Sequence, residues 1–166
     1  MKKVIQAAAL TATLVGCATP VPQEPIQRPP FPEQEYAALE KTGTAVVTGQ
    51  AFLKTLGGDV KTAAGETVYL NPVTSYSTHA YTASVGTTRP MAQPDPRLFQ
   101  YMKSVTADGT GRFAFKNVPA GDYYVVTQVT WQAPVGYQGA LRTQGGVVHK
   151  RVSVRSGEAA EVILTR

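Results

Sequence analysis

The strongest constraint on the fold is a two-residue alternation of side chains that runs through the chain from Gly43 onwards. It is clearest between Asp122 and Trp131, where two sets alternate: Tyr123, Val125, Thr127, Val129 and Trp131 against Tyr124, Val126, Gln128 and Thr130. Because successive side chains of a β-strand point to opposite faces of the sheet, this pattern predicts a strand with one buried face. Gly, Asp, Asn and Pro interrupt the alternation and mark the turns.

Strand-like regions follow one another along most of the chain. There are seven regions, one of which is broken by Ala64-Gly65 into two segments: Ala45 to Leu53, Val60 to Ala63 with Glu66 to Asn71, Tyr101 to Ala107, Arg112 to Lys116, Asp122 to Trp131, Val147 to Val154, and Ala159 to Thr165. Short strands at this spacing predict an all-β sandwich. The length of 166 residues suits a single domain, and 43% hydrophobic residues can form a core without disulfides.

One segment, Thr106 to Val125, joins two strands through closely spaced turns. It reads as a turn with Asp and Gly, then Gly-x-Phe-x-Phe, then Val-Pro-Ala-Gly, then Tyr-x-Val. We expect its alternating apolar side chains to enter one core: Phe113, Phe115, Tyr123 and Val125. Over residues 44–71 and 101–165 the chain resembles the carboxypeptidase regulatory-like domain. The resemblance implies a transthyretin-like (prealbumin-like), seven-stranded β-sandwich, a fold that by itself does not specify a function.

The N-terminus has the three parts of a bacterial secretion signal. Lys2 and Lys3 precede an apolar stretch, Val4 to Val15, that is too short to span a bilayer. The stretch ends in Leu14-Val15-Gly16-Cys17, which resembles the lipobox of bacterial lipoproteins. The resemblance implies a signal peptide over 1–16, cleavage between Gly16 and Cys17, and acyl chains such as palmitate on the Cys17 thiol. An ordinary secretory signal with an incidental cysteine is the alternative.

Lipidation of Cys17 would place the protein in the cell envelope, attached to a membrane through its N-terminus. The lipoprotein rule for the following residue, here Ala18, implies the outer membrane of an organism that has two. Loss of Lys2 and Lys3 lowers the formal charge from +5 to +3.

The segment after the cysteine, residues 17–42, is predicted to be a disordered proline-rich linker to a domain at 43–166. It holds six of the twelve prolines, which disfavour helices and sheet ladders. Between Ala18 and Glu40 the net charge is −3, whereas Lys41 to Arg166 has 13 basic and 7 acidic residues and is +6. A docking motif at Pro29 to Pro32 is the alternative to a plain spacer, and a short helix is predicted over Tyr36 to Lys41.

A long insertion, residues 72–100, interrupts the strands and contains four prolines. It exceeds the usual length of hairpin loops, so we expect it to carry a binding feature, with a helical turn over Asp95 to Met102. A second insertion relative to the family pattern is predicted at residues 132–144. Aromatic residues in or near the two insertions form a candidate ligand-binding set: Tyr76, Tyr81, Trp131 and Tyr137. The alternative is that these rings cap the ends of the core.

The chain shows none of the residue spacings that mark common catalytic or metal sites. His79 and His149 lie 70 residues apart without a third zinc ligand, and no Gly-x-Ser-x-Gly or phosphate-binding glycine loop is present. Asp108 to Gly111 lacks the further carboxylates of a calcium loop and is predicted to be a β-turn. We therefore expect no enzymatic activity, no cofactor and no metal.

Basic residues are clustered near the C-terminus. His149, Arg151 and Arg155, with Arg112 and Lys116, form either a surface for anionic polymers or a solvated face. Nucleic acid is not expected as a partner, because aromatic residues are not interleaved with these charges. The sequence thus predicts a non-enzymatic binding, scaffolding or accessory role at the envelope, with envelope proteins or polysaccharide as partners. A carbohydrate- or peptidoglycan-binding module that uses the four aromatic residues is the alternative.

Overall fold

The computed structural model describes residues 23–84, 87, 89–137 and 139–166. Within these ranges eight strands form two sheets of four, which confirms the predicted all-β sandwich. The strands are β1 (Ala45–Lys54), β2 (Val60–Thr62), β3 (Thr67–Pro72), β4 (Lys103–Thr106), β5 (Arg112–Val118), β6 (Gly121–Val135), β7 (Ala140–Val154) and β8 (Ala159–Leu164). The helices are α1 (Glu33–Ala37), α2 (Ser75–Ser84) and a 3-10 helix (Pro96–Gln100).

The first sheet is built around β1. Strand β5 pairs with it antiparallel and β8 pairs with it parallel, while β2 pairs with its last three residues. Gly49 lies at the centre, where a Cβ atom would be 2.1 Å from the Val162 carbonyl oxygen and 2.6 Å from the Phe113 ring. Only glycine therefore allows the inner side of β1 to approach its neighbours this closely.

The second sheet has the order β4-β3-β6-β7, and all its pairs are antiparallel. Strands β6 and β7 form a hairpin of 15 residues each, paired from Gly121 with Val154 to Val135 with Ala140. The prediction of an irregular insertion at 132–144 is therefore wrong. The alternation of apolar residues fades there, but backbone hydrogen bonds do not require apolar side chains, so the ladder continues.

The core lies between the two sheets and contains the residues that the alternation assigned to it. Phe113, Phe115, Tyr123 and Val125 are buried, and the two Phe rings meet edge to face with centroids 5.9 Å apart. They pack with apolar residues of the other strands, including Val47, Val68, Leu70, Val148 and Leu164.

The sandwich has eight strands rather than seven, and the break predicted at Ala64-Gly65 is present, because the two parts of the region Val60 to Asn71 belong to different sheets. Its first part, β2, pairs with β1, and its second part, β3, pairs with β4 and β6. Gly65, at φ 75°, lies between them in a turn in which the Glu66 amide donates to the Ala63 carbonyl at 3.0 Å. This turn carries the chain from one sheet to the other, so the two halves cannot form one strand.

The N-terminal residues 24–41, here named the strap, pack against the domain, so the prediction of a disordered linker ending at residue 42 is wrong for this segment. The Ile26 amide donates to the Pro90 carbonyl at 2.8 Å, and the Ala92 amide donates to the Ile26 carbonyl at 2.9 Å. Tyr36 is fully buried in a second apolar cluster with Tyr76 and Leu98. The prolines keep the strap extended, but its aromatic rings still gain from burial against the insertion.

Two local predictions within the strap and insertion have different outcomes. The strap helix covers Glu33–Ala37 and begins after Pro32, so the predicted range of Tyr36 to Lys41 is wrong. The helical turn predicted over Asp95 to Met102 is confirmed as the 3-10 helix, whose first position is Pro96 and whose N-cap is Asp95. Across the described ranges, no helix has the length and apolarity that crossing a bilayer requires.

Candidate functional site

A cleft of about 300 Å³ opens on the outer face of the second sheet, the face turned away from the core. Strands β3 and β7 form its floor, and α2, the strap and residues 91–102 form its walls. It is lined by Arg28, Tyr69, Asn71, Ala80, Tyr81, Met91, Pro94, Leu98, Phe99, Met102, Val147 and His149. Most of these side chains are apolar or aromatic, and none of them is Asp or Glu, which is a common composition for a ligand site.

Helix α2 forms one wall although its sequence lacks helical periodicity. Its start is fixed by a reciprocal pair: the Ser77 amide donates to Thr74 Oγ1 at 3.2 Å, and the Thr74 amide donates to Ser77 Oγ at 2.9 Å. This is the geometry of a capping box with Ser in place of the usual Glu. Ser77 Oγ also donates to the Pro72 carbonyl at 2.7 Å, which ties the first turn to the end of β3.

The strap holds the same end of α2. Both the amide and the hydroxyl of Ser75 donate to the Glu35 carboxylate, at 2.7 and 2.6 Å, and these bonds lower the pKa of Glu35. Thr74 Oγ1 donates to the Tyr36 hydroxyl at 2.9 Å. A carboxylate at the first turn also favours the helix dipole. The strap and α2 therefore form one connected wall of the cleft.

Tyr81, on the last turns of α2, lies against the second sheet. Its ring centroid is 4.1 Å from that of Tyr124 and 5.4 Å from that of His149. Burial raises the pKa of Tyr81 to about 12, although a hydrogen bond from Asn71 opposes the rise. The hydroxyl therefore keeps its proton at neutral pH, and the ring gives the cleft a fixed aromatic surface.

Asn71 is the most unusual polar residue of the cleft. Its side chain is 6% exposed, and its amide nitrogen is the end that can donate to Tyr81. Its Oδ1 is the one buried side-chain oxygen or nitrogen, among the residues that the structure describes, without a hydrogen-bond partner. Leaving a buried acceptor unpaired costs about 1–3 kcal/mol, so such an atom in a cleft wall points to a ligand that donates a hydrogen bond.

Arg28 extends from the strap into the cleft. Its Nε donates to the Ala92 carbonyl at 2.7 Å, and its guanidinium carbon lies 5.6 Å from the centre of the Tyr76 ring. The outer edge of the cleft carries two rings that solvent reaches, Tyr69 (39% exposed) and Phe99 (59% exposed). The cleft thus offers a basic group, an amide oxygen and exposed aromatic faces.

The structure does not bring the four predicted aromatic residues together. Tyr81 lines the cleft, but Tyr76 is 2% exposed, and its hydroxyl accepts the Asp95 amide at 2.8 Å beneath the strap. Trp131 is half-buried against the core, and Tyr137 is fully exposed at the tip of the β6–β7 hairpin. Tyr69, Asn71 and Phe99 were missed because each lies in a strand or short helix without a motif. Gly16 and Cys17 lie outside the described residues.

Neither histidine belongs to a metal site in the described part of the chain, where no three His, Cys, Asp or Glu residues are grouped. His79 Nε2 contacts the Gln27 carbonyl at 3.1 Å. Asp108 makes the predicted turn, because its Oδ1 accepts hydrogen bonds from the Thr110 amide and hydroxyl and from the Arg112 amide, at 2.7–2.9 Å. These bonds lower the pKa of Asp108.

The predicted basic cluster is divided between the sheets. Arg112 and Lys116 lie on β5 of the first sheet, whereas His149 and Arg151 lie on β7 of the second. Arg151 pairs with the Asp122 carboxylate at 2.6 Å. The five residues therefore do not form one basic surface, although His149 reaches the cleft.

A second, smaller cavity of about 170 Å³ lies between the strap and the start of β6. Within it, the Tyr123 hydroxyl donates to the Pro119 carbonyl at 2.9 Å, and Lys41 Nζ lies 5.8 Å from the centre of the Tyr101 ring. Because it lacks a counterpart to Asn71 Oδ1, we regard the larger cleft as the candidate site.

A solved structure from Pseudomonas aeruginosa, of a "putative carbohydrate binding protein", is 34% identical to this chain. The match has a TM-score of 0.75 and covers 84% of this chain and 99% of that one. A 9R-lipoxygenase from Cyanothece is 14% identical with a TM-score of 0.36, covers 87% of this chain and 18% of its own, and is too distant to bear on the fold. No family model and no curated protein matches the chain.

Proposed function

This chain belongs to the family of that Pseudomonas aeruginosa protein, and from this premise we propose that it is a non-enzymatic binding protein that holds a saccharide in the cleft of the second sheet. The single observation that carries the proposal is the unpaired Oδ1 of Asn71 beside the ring of Tyr81. The name of the Pseudomonas protein favours carbohydrate over other ligands that donate hydrogen bonds.

The chemistry of the cleft suits a sugar ring. A saccharide hydroxyl can donate to Asn71 Oδ1, and the C–H face of the ring can pack on an exposed aromatic side chain such as Tyr69 or Phe99. Few polar groups within a mostly apolar lining fix the orientation of a ligand. The described lining contains no carboxylate that could serve as a general acid or base, so we assign it binding and no catalytic step.

The proposal is tested with the full chain and a panel of immobilised polysaccharides that includes peptidoglycan. We expect retention on at least one of them, and we expect Tyr69→Ala and Phe99→Ala each to raise the Kd about five- to tenfold through loss of ring contact. Tyr137→Ala removes an equally aromatic but fully exposed side chain at the hairpin tip and serves as the matched control.

Two results would contradict the proposal. One is the absence of retention on every polysaccharide. The other is loss of retention in Tyr137→Ala with wild-type behaviour of both cleft variants, which would place the ligand at the hairpin tip instead. Melting temperatures of all variants show whether the losses arise from unfolding, which we do not expect for side chains this exposed.

We also propose that Cys17 carries a lipid that attaches the protein to the cell envelope. The sequence Leu14-Val15-Gly16-Cys17 supports this proposal, and Ala18 favours the outer membrane. The strap is bonded to the domain from Glu24, whose carbonyl accepts from the Arg89 guanidinium at 2.8 Å, so six residues, Ala18 to Gln23, separate it from Cys17. Six residues span at most about 22 Å, which is less than half the reach of a spacer extending to residue 40. The proposal thus implies a domain held close to the membrane.

A further inference from the structure

Arg28 is the one Arg, Lys, Asp or Glu residue in the described lining of the cleft. The lining also includes His149. Resting on the proposed function, we infer that the cleft selects a saccharide that carries a carboxylate, as uronic acids and other acidic sugars do, and that Arg28 binds this group.

Arg28 differs in its partners from Arg97 and Arg151. Arg89 and Arg142 also form no ion pair with a described residue, but neither lines the cleft. Arg97 forms ion pairs with Glu33 and Asp95, and Arg151 pairs with Asp122. Arg28 forms no ion pair with any residue in the described ranges, and its charge is therefore not neutralised by the protein there. A half-buried guanidinium without a counter-ion is a binding site for an anion.

The guanidinium is also held in position. Its Nε donates to the Ala92 carbonyl at 2.7 Å, and its central carbon lies 5.6 Å from the centre of the Tyr76 ring, which is itself buried. No described residue accepts a hydrogen bond from its two terminal nitrogens, and these are the pair that can bind both oxygens of a carboxylate. A side chain that is already ordered loses little further conformational entropy when it binds.

The remaining groups complete a site with two kinds of contact. Asn71 Oδ1 can accept from a hydroxyl, and the rings of Tyr81 and His149 lie 5.4 Å apart, tilted by 43°, between α2 and β7. Glu35 is the acidic residue of the strap that contacts α2. Its carboxylate accepts hydrogen bonds from Ser75, and it does not line the cleft. A sugar with a carboxylate at one position and free hydroxyls at others can therefore satisfy Arg28 and Asn71 together.

The experiment uses the full chain and three acidic polysaccharides: polygalacturonate, alginate and hyaluronan. Each is paired with its carboxyl-reduced form, which keeps the skeleton and replaces the carboxylate by a neutral CH2OH group. Affinities are measured at low salt for the wild type, Arg28→Gln, Arg28→Lys and Arg142→Gln. Arg142 is an exposed residue of the β6–β7 hairpin outside the cleft. Arg142→Gln makes the same change in net charge as Arg28→Gln and is therefore the matched control.

We expect the wild type to bind at least one acidic polysaccharide about tenfold or more tightly than its reduced form, the ratio typical of one charge-assisted hydrogen bond. Arg28→Gln should lose this preference, Arg28→Lys should retain part of it, and Arg142→Gln should keep it. Lysine keeps the positive charge but cannot make the bidentate contact. A partial preference in Arg28→Lys would therefore show that the loss in Arg28→Gln comes from the missing charge and not from unfolding of the strap.

Equal or tighter binding of the reduced forms, an unchanged preference in Arg28→Gln, or no binding of any of the acidic polysaccharides would overturn the inference. If a neutral polysaccharide is still retained through Tyr69 and Phe99, the proposed carbohydrate binding stands and only the selection for a carboxylate fails. If no polysaccharide of either kind is retained, both are wrong.

Discussion

Replacement of Tyr36 measures how firmly the strap is joined to the sandwich. The side chain is fully buried, its ring stacks on Phe31 with centroids 4.5 Å apart, and it lies 5.0 Å from the ring of Tyr101. Tyr36→Ala leaves a cavity of aromatic size, for which we expect a loss of about 3–5 kcal/mol in the free energy of unfolding. If residues 17–42 were a plain spacer, the same substitution would change that free energy by less than about 0.5 kcal/mol.

Two further variants separate the contributions. Tyr36→Phe removes only the hydroxyl that accepts from Thr74, and Thr74 Oγ1 still lies 3.3 Å from Ser77 Oγ, so we expect a cost of about 0.5–1.5 kcal/mol. Gln34→Ala changes an exposed residue of the same helix and should have almost no effect.

The assay is urea unfolding of the full chain, followed by circular dichroism and by protease cleavage within the strap. With a urea dependence of about 1–3 kcal/mol per M, the Tyr36→Ala midpoint should fall by about 1 M or more. If Tyr36→Ala unfolds at the wild-type midpoint and its strap resists the protease as well as the wild type does, Tyr36 does not join the strap to the sandwich.

Other positions give independent predictions. Phe115→Ala should cost about 3–5 kcal/mol in urea unfolding, since the ring is buried between the sheets, and an unchanged midpoint would remove it from the core. Hydrogen bonds from Arg97 lower the pKa of Asp95 from 3.8 to about 2. Because the folded pKa is the lower one, the carboxylate stabilises the fold above about pH 4, and this contribution is lost as the pH falls towards 2. Asp95→Asn should therefore unfold earlier than the wild type at pH 7, with a difference that shrinks towards pH 2; a difference that does not vary with pH would contradict this. Cys17→Ala should abolish incorporation of labelled palmitate in cells, whereas continued labelling would place the lipid elsewhere.

The strands were predictable because the alternation of apolar and polar residues within a strand follows directly from which face of the sheet each residue occupies. In the segment from Arg112 to Val125, each residue faces either the core or the solvent according to its position in the alternation, so Phe113 and Phe115 could be assigned to the core from the sequence. The alternation did not predict strand structure in a segment where the alternation is weak. Residues 132–144 alternate poorly, yet they continue the β6–β7 ladder because the backbone makes its own hydrogen bonds.

The candidate site depends on contacts between residues far apart in the chain, and these the sequence did not reveal. The Ser- and Thr-rich α2 has no apolar period. It is helical because Glu35 and Thr74 Oγ1 accept hydrogen bonds from amides of its first turn, and because Tyr76 and Tyr81 contact rings of other elements. The alternation of side chains by itself determined that this protein is a β-sandwich with Phe115 inside it. The tertiary structure alone shows that a proline-rich strap closes one side of a cleft that Arg28 and Asn71 both line. The sequence did not reveal this, because burial of the strap's aromatic residues depends on distant partners and leaves no periodic pattern in the strap itself.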